Sequence, residues 1–310
     1  MDSMQNTEKL SVFKYFGLTK AKRVNAEQPK DKKTWFIHAI SEIIGTVFIS
    51  LGLAGLSTHV TEYSVIEHYL TFKWFVGFFA GFIIVGICLF TFLRWSCDLN
   101  PAVTLTRLLK GTNTLPYALM KWTMQIIGAF IAALIIYAVG RNAGAHTANH
   151  AIETTKVVNA SVFNQILTVD GYNGHHHLAG FIYIFVIEAI MVACLLFPIF
   201  SPRIDNKYRD LMIMFIISLV VWMGVLSGTA AINPARGLAQ QLPTLLFYPN
   251  YEQYKDVALG TVAMVLGGLF GSVFYIWVQG FTEKYVNPLV VKIIEYKNNR
   301  PSNMTKPNQK

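Results

Sequence analysis

Six stretches of this chain, about 36–56, 72–93, 116–139, 178–199, 211–227 and 257–279, stay apolar for roughly the 20 residues a helix needs to cross a bilayer. In hydrocarbon the backbone must satisfy its own hydrogen bonds, which leaves helices or closed barrels. The runs are too long and too unalternating for barrel strands. A chain that is 53% hydrophobic and 14% charged has little left for a soluble domain. The fold class expected is an all-α membrane protein with six transmembrane helices.

Two further segments are helical in pattern but too short to span. Asn100-Pro101-Ala102 and Asn233-Pro234-Ala235 lie 133 positions apart, each after a long apolar run. Proline suits the first position of a helix, where its missing N–H is not needed, and Asn is among the best N-caps. Residues 101–110 are amphipathic and end at Gly111; residues 234–242 end at Pro243. Irregular backbone at membrane depth survives only where protein or a watery cavity meets it. Two re-entrant half-helices meeting at the midplane satisfy that condition. Glu42 precedes the first tripeptide by 58 positions, and Glu188 precedes the second by 45. Three spans per half force the halves into opposite orientations, so 36–139 and 178–279 are expected to be inverted repeats joined by an outer loop, 140–177.

The net charge of +9 follows topology rather than nucleic-acid binding. Lys and Arg crowd residues 1–34, 200–210 and the C-terminal tail, whereas 57–71 has none and 140–177 only Arg141 and Lys156. The positive-inside rule then places both termini in the cytoplasm. The expected divisions are a basic N-terminal tail over 1–34, a channel domain over 35–280 and a C-terminal tail over 281–310, with the tails solvated. Residues 1–34 have no apolar core of a signal peptide, so the first span would direct insertion. Cys88, Cys97 and Cys194 lie in or beside spans and suggest no disulfide framework.

On its paired Asn-Pro-Ala tripeptides, half-spaced glutamates, six spans and Arg236 after the second tripeptide, the chain resembles the aquaporin/aquaglyceroporin (major intrinsic protein) family over roughly 36–280. The resemblance implies an aquaporin-like right-handed bundle in a homotetramer, one pore per subunit, in the cell membrane. It implies Asn100 and Asn233 at the pore midplane, half-helix starts at Pro101, Ala102, Pro234 and Ala235, and Arg236 in the selectivity filter. Glu42 and Glu188 become buried structural carboxylates holding the re-entrant loops. From the residues alone, two half-helix N-termini place positive partial charge at the channel centre, which welcomes a neutral polar solute and opposes a cation.

Counted without gaps against the family, the remaining filter positions are Ala80, Val221 and Ala230, small-sided and lacking a histidine donor. A shift by one residue brings in Phe79 or Trp222 instead. Glycerol facilitators usually carry Asp after the filter Arg, and here Gly237 stands there. The favoured reading is a passive channel for water and small uncharged solutes such as glycerol. The alternatives are a strictly water-selective channel, a closed-pore junctional protein, or a coupled transporter using Glu42 or Glu188. No enzyme chemistry, cofactor, metal site or nucleic-acid partner is expected; the partners are the lipid bilayer, the permeating solutes and further copies of the chain.

Other features carry less. His175, His176 and His177 cannot all face one ion on regular structure, so a solvated loop is favoured over a metal site. Asn159-Ala160-Ser161 fits a glycosylation sequon. Asp98 either borders the inner vestibule or, as favoured, pairs with Arg94. Trp74, Trp95 and Tyr137 suit an interfacial belt, and Gly45, Gly81, Gly128, Gly267 and Gly271 suit close helix approach.

Overall fold

The structure, a computed structural model, describes residues 11–60, 65–67, 73–142, 151–155, 177–247 and 251–299. The sequon, His175 and His176 and the side chain of Trp74 lie outside what is described. Helix α1 (Lys32–Ser57) leads into a short antiparallel hairpin, β1 (Thr58–Val60) and β2 (Val65–Glu67). The second span is composite: α2 (Lys73–Phe78), a π-helical segment (Phe79–Val85) and α3 (Gly86–Phe92). Then come the half-helix α4 (Pro101–Leu109) and the third span α5 (Leu115–Asn142). The second half repeats the order with α6 (His177–Phe200), α7 (Asn206–Ser227), the half-helix α8 (Pro234–Phe247) and α9 (Tyr251–Phe281). A second π segment (Thr282–Val286) precedes α10 (Asn287–Asn298). Among the described residues six helices are long and apolar enough to cross a membrane, at the places expected from the sequence.

Equivalent contacts reveal the inverted repeat. A Cβ on Gly128 of α5 would lie 2.9 Å from the Ile43 carbonyl oxygen and 2.9 Å from Thr46 Cβ on α1. A Cβ on Gly271 of α9 would lie 2.8 Å from the Ala189 carbonyl oxygen and 2.9 Å from Val192 Cβ on α6. Measured from Glu42 and Glu188, these are the same two positions, one and four residues on. Gly45, Gly81 and Gly267 likewise sit where a side chain would meet Leu99, Ser218 and the Phe185 carbonyl. Small residues let the helices close, as the sequence suggested.

The structure alters three expectations. Helix α8 does not stop at Pro243 but carries it inside and runs to Phe247. Residues 17–28 are not a loose tail: they cap the far end of α4. Gly17 N donates to Leu109 O at 2.7 Å, and Arg23 donates to Gly17 O at 2.7 Å and Leu108 O at 3.2 Å. The carbonyls at a helix C-terminus need such donors. Glu27 N and O bridge Thr112 and Thr114 in the same way. Tyr137, set among interface aromatics, stacks on Phe247 at 3.9 Å, while Trp95 is exposed.

The described chain forms two compact units, 17–275 and a smaller one of 11–16 with 276–299. In the smaller unit Lys14 Nζ pairs with Glu283 Oε1 at 2.9 Å and Tyr15 donates to the same carboxylate. The region beyond 281 is therefore helical through Asn298.

Candidate functional site

Each tripeptide begins its helix as capping chemistry requires. Asn100 is extended (φ −150°) and its Oδ1 accepts from Ala102 N at 2.9 Å, with Pro101 in the first turn. Asn233 Oδ1 accepts from Ala235 N at 3.0 Å and Arg236 N at 3.3 Å. Pro101, Ala102, Pro234 and Ala235 are all buried. The residues just before the caps, Leu99 (φ 49°) and Ile232 (φ 59°), are left-handed, a costly backbone for any side chain and most for a β-branched one.

That strain is held by the two glutamates. Glu42 Oε1 accepts from Asp98 N at 3.0 Å and from the Ser96 hydroxyl, and Oε2 accepts from Leu99 N at 2.9 Å and Gln125 Nε2 at 2.8 Å. Glu188 Oε1 accepts from the Thr229 hydroxyl and from Ala231 N at 2.9 Å; Oε2 accepts from Ile232 N at 2.7 Å. Counted back from each Asn, the donors are the same: a hydroxyl four residues before, and N–H groups two and one before. Both carboxylates are buried and occupied by loop backbone.

The two loops are also tied to each other. Asn233 Nδ2 donates to Leu99 O at 2.6 Å and Asn100 Nδ2 to Ile232 O at 3.3 Å. Each cap amide thus fixes the strained residue of the opposite loop. One hydrogen of each amide serves this crossed pair.

Asp98 is buried and pairs with Arg107 Nε at 2.8 Å and Lys121 Nζ at 2.9 Å, and accepts from Thr104 Oγ1 at 3.0 Å. Its expected partner Arg94 is exposed. Arg107 sits nine residues after Asp98, on the half-helix itself, and Lys121 comes from α5, so the pairing needs tertiary structure that neighbouring sequence does not reveal. Burial pushes the Asp98 carboxyl up, but Lys121 and Arg107 outweigh it and hold the group down at about 2.

A cavity of about 290 Å³ lies between the halves. It is lined along α7 from Asp210 to Val225, a length of about 22 Å at 1.5 Å per residue. Asn100, Asn233, Val221, Ala230 and Arg236 all line it, together with Leu99 and Ile232. Arg236 Nη1 donates to Ala230 O at 2.8 Å. Most of the remaining wall is aliphatic, and among the described residues no aromatic ring and no histidine lines the cavity.

Ala80 does not join them. It is fully buried in a core with Val85, Met191 and Val220, and the second span presents Val76 to the cavity instead. A gap-free count presumes a uniform α-helix, whereas the π segment Phe79–Val85 closes wider turns and rotates the faces. The shifted alternatives are also placed elsewhere. Phe79 packs on Phe75, and the Trp222 ring fills the space beside Gly77. Cys88, Cys97, Arg107 and Arg209 line the cavity without having been singled out as pore residues. A Lys in the middle of an apolar span, Lys121, was the available signal for the Asp98 cluster; nothing in the sequence pointed to Val76.

Three helices of each half and the half-helix ends define a recognisable arrangement, and comparison with known proteins agrees with it. The family described as Major intrinsic protein matches residues 30–275. A stretch of 195 residues is 28% identical to Aquaporin-3 of Milnesium tardigradum, covering 57% of this chain and 56% of that protein, so the match spans about half the length of this relative. The fold is similar to the X-ray structure of the aquaglyceroporin from Plasmodium falciparum, with a TM-score of 0.54 at 19% identity, over 83% of this chain and 98% of that one.

Proposed function

We propose that this chain, which belongs to the major intrinsic protein family, conducts water together with small uncharged solutes such as glycerol through the cavity between its halves. It is an integral, multi-pass membrane channel and not an enzyme. The observation that carries the finer reading is the lining itself: aliphatic walls facing the Asn100, Asn233 and Arg236 side chains, with no ring or imidazole among the described lining residues.

The residues act as follows. The N-termini of α4 and α8 bring positive partial charge to the middle of the cavity. Asn100 and Asn233 each carry two amide hydrogens; one is used in the crossed pair, and the other is offered to a passing hydroxyl or water oxygen. Arg236 offers further fixed donors and repels cations. Val76, Val221 and Ala230 set the width beside it, with Val76 taking the place counted for Ala80. The alkyl backbone of a polyol can then run along the aliphatic wall while its hydroxyls meet the donors. Gly237 is compatible with this reading: Met264 and Ala231 leave no room for a side chain there, so packing accounts for the missing Asp. Both termini on the cytoplasmic side, the cell membrane as location and a homotetrameric assembly complete the proposal.

Stopped-flow light scattering on proteoliposomes tests it. Fast osmotic water movement together with glycerol re-swelling is expected, and Arg236→Ala should admit larger or charged solutes. Fast water movement without glycerol entry would overturn the wide-filter reading in favour of strict water selectivity.

A further inference from the structure

Residues 151–155, between the two halves, run beside the Arg236 end of the cavity, where Ala151 and Ile152 line it. Their seat is specific. Gly180 and Gly260 lie against the carbonyls of Thr154 and Ile152 so closely that a Cβ on either would collide. Gln241 of α8 grips Ile152 with both ends of its amide: Ile152 N donates to Oε1 at 2.8 Å, and Nε2 donates to Ile152 O at 3.0 Å. Two and three residues on, the segment is tied to Asp256 of α9. Thr154 Oγ1 donates to Asp256 Oδ1 at 2.6 Å, and Thr155 Oγ1 donates to Oδ2. His177, the first residue of α6, closes the cluster with Nδ1 2.6 Å from Asp256 Oδ1 and 3.2 Å from Thr154 Oγ1. Thr154 is fully buried, while the His177 side chain is 22% exposed, so solvent protons reach it.

We propose that residues 151–155 are a latched wall of the pore, positioned by Gln241 and Asp256, and that protonation of His177 tightens the latch and restricts solutes larger than glycerol. The proposal rests on reading the cavity as the conduit. With neutral imidazole the cluster holds by hydrogen bonds alone; with imidazolium it gains an ion pair to Asp256. Beside the pair stand Glu153, buried on the segment, and Lys255, exposed next to Asp256 on α9; the comparison below holds both constant. The wall acts on the filter through Ile152, whose side chain packs with Ala231, the neighbour of Ala230 in the lining.

The test uses the full chain in proteoliposomes at about pH 5 and pH 8, with erythritol, glycerol and water as probes. In the native protein the erythritol-to-glycerol permeability ratio should fall about two- to fivefold on acidification, the range of a partly exposed ion pair. His177→Gln, which keeps a hydrogen-bonding group but does not titrate, should hold the high-pH ratio throughout. Amide exchange of residues 151–155, corrected for its intrinsic pH dependence, should slow in acid in the native protein and not in His177→Gln. The same pH response in His177→Gln, or none in the native protein, would overturn the latch. Exchange that responds to pH in a protein passing neither water nor glycerol would support the latch while refuting the channel reading, so the two fail separately.

Discussion

Glu188→Gln asks whether the second re-entrant loop is held by its carboxylate or holds itself. Three donors converge on that carboxylate, two of them backbone N–H groups at 2.9 and 2.7 Å. Glutamine keeps one acceptor oxygen and turns the other into a donor. Whichever way the amide is turned, one buried N–H of Ala231 or Ile232 faces another N–H, a loss of about 1–3 kcal/mol. Ile232 is held at φ 59°, and strain of this kind costs about 1–3 kcal/mol. Once its N–H is unpaired the residue relaxes towards ordinary backbone, and the Asn100 bond to Ile232 O, worth about 1 kcal/mol, goes with it. The strain released offsets part of the loss, leaving a net destabilisation of roughly 1–3 kcal/mol. Glu188→Ala orphans both N–H groups and costs more, about 2–6 kcal/mol before relief of strain. Thermal unfolding in detergent should rank native above Gln above Ala, and glycerol flux per reconstituted protein should fall in the same order. A Gln variant that melts with the native protein and keeps its flux would refute the reasoning, because the loop geometry would then be independent of its anchor.

Asp98→Asn leaves buried Lys121 and half-buried Arg107 without their shared carboxylate, and breaking a buried pair such as Asp98–Lys121 costs about 3–5 kcal/mol. Because the Asp98 carboxyl is held at about 2, below the ordinary value of about 3.9, its contribution is full above pH ~4 and is lost as pH falls through 2. Melting curves across that window should show the acid slope in the native protein and a shallower one in the variant. Val76→Phe and Val221→His should each cut glycerol flux about tenfold or more while sparing water, each putting a ring or imidazole into the lining. Ala80→Phe should instead overpack the core and lower expression or melting temperature by the equivalent of about 1–3 kcal/mol; a selectivity change without destabilisation would restore Ala80 to the filter. Arg23→Ala removes two bonds to the carbonyls of Gly17 and Leu108, and trypsin should then cut faster at Lys20 and Lys22.

What could be read from the sequence was what local chemistry dictates. An Asn before a Pro at the end of an apolar run declares a helix start wherever it stands, and long apolar runs declare spans. The equal depth of Glu42 and Glu188 pointed to a repeat because a carboxylate inside a span needs a dedicated set of donors. The misreadings all involve partners supplied from a distance. Asp98 was matched with the nearest cation in sequence, Arg94, but α5 brings Lys121 against it. Pro243 was taken as a stop because it donates no hydrogen bond, yet within the packed half-helix the chain continues through it; Pro198 does the same in α6, where Arg209 takes up its carbonyl at 2.7 Å. The filter position slipped because the width of the turns between Phe79 and Val85 is a property of the folded span, not of its residue count.

The two halves meet one requirement with different chemistry, and the difference bears on ion exclusion. Behind the first loop, Glu42 and Asp98 face Lys121 and Arg107: two carboxylates against two cations, so this support adds no net charge near the Asn100 end. Behind the second loop the support is a single carboxylate, Glu188, on which Arg236 acts as a counter-charge. Gln241 joins Ile152 to Thr261, and Glu188 is met by N–H groups and a hydroxyl, with no lysine inserted. Arg236 projects into the lining from this half, where it faces the field of the Glu188 carboxylate. A fixed positive charge in the lining opposes a passing cation. The strongest barrier to a cation should therefore lie at the Arg236 end, with the half-helix termini adding to it at the centre.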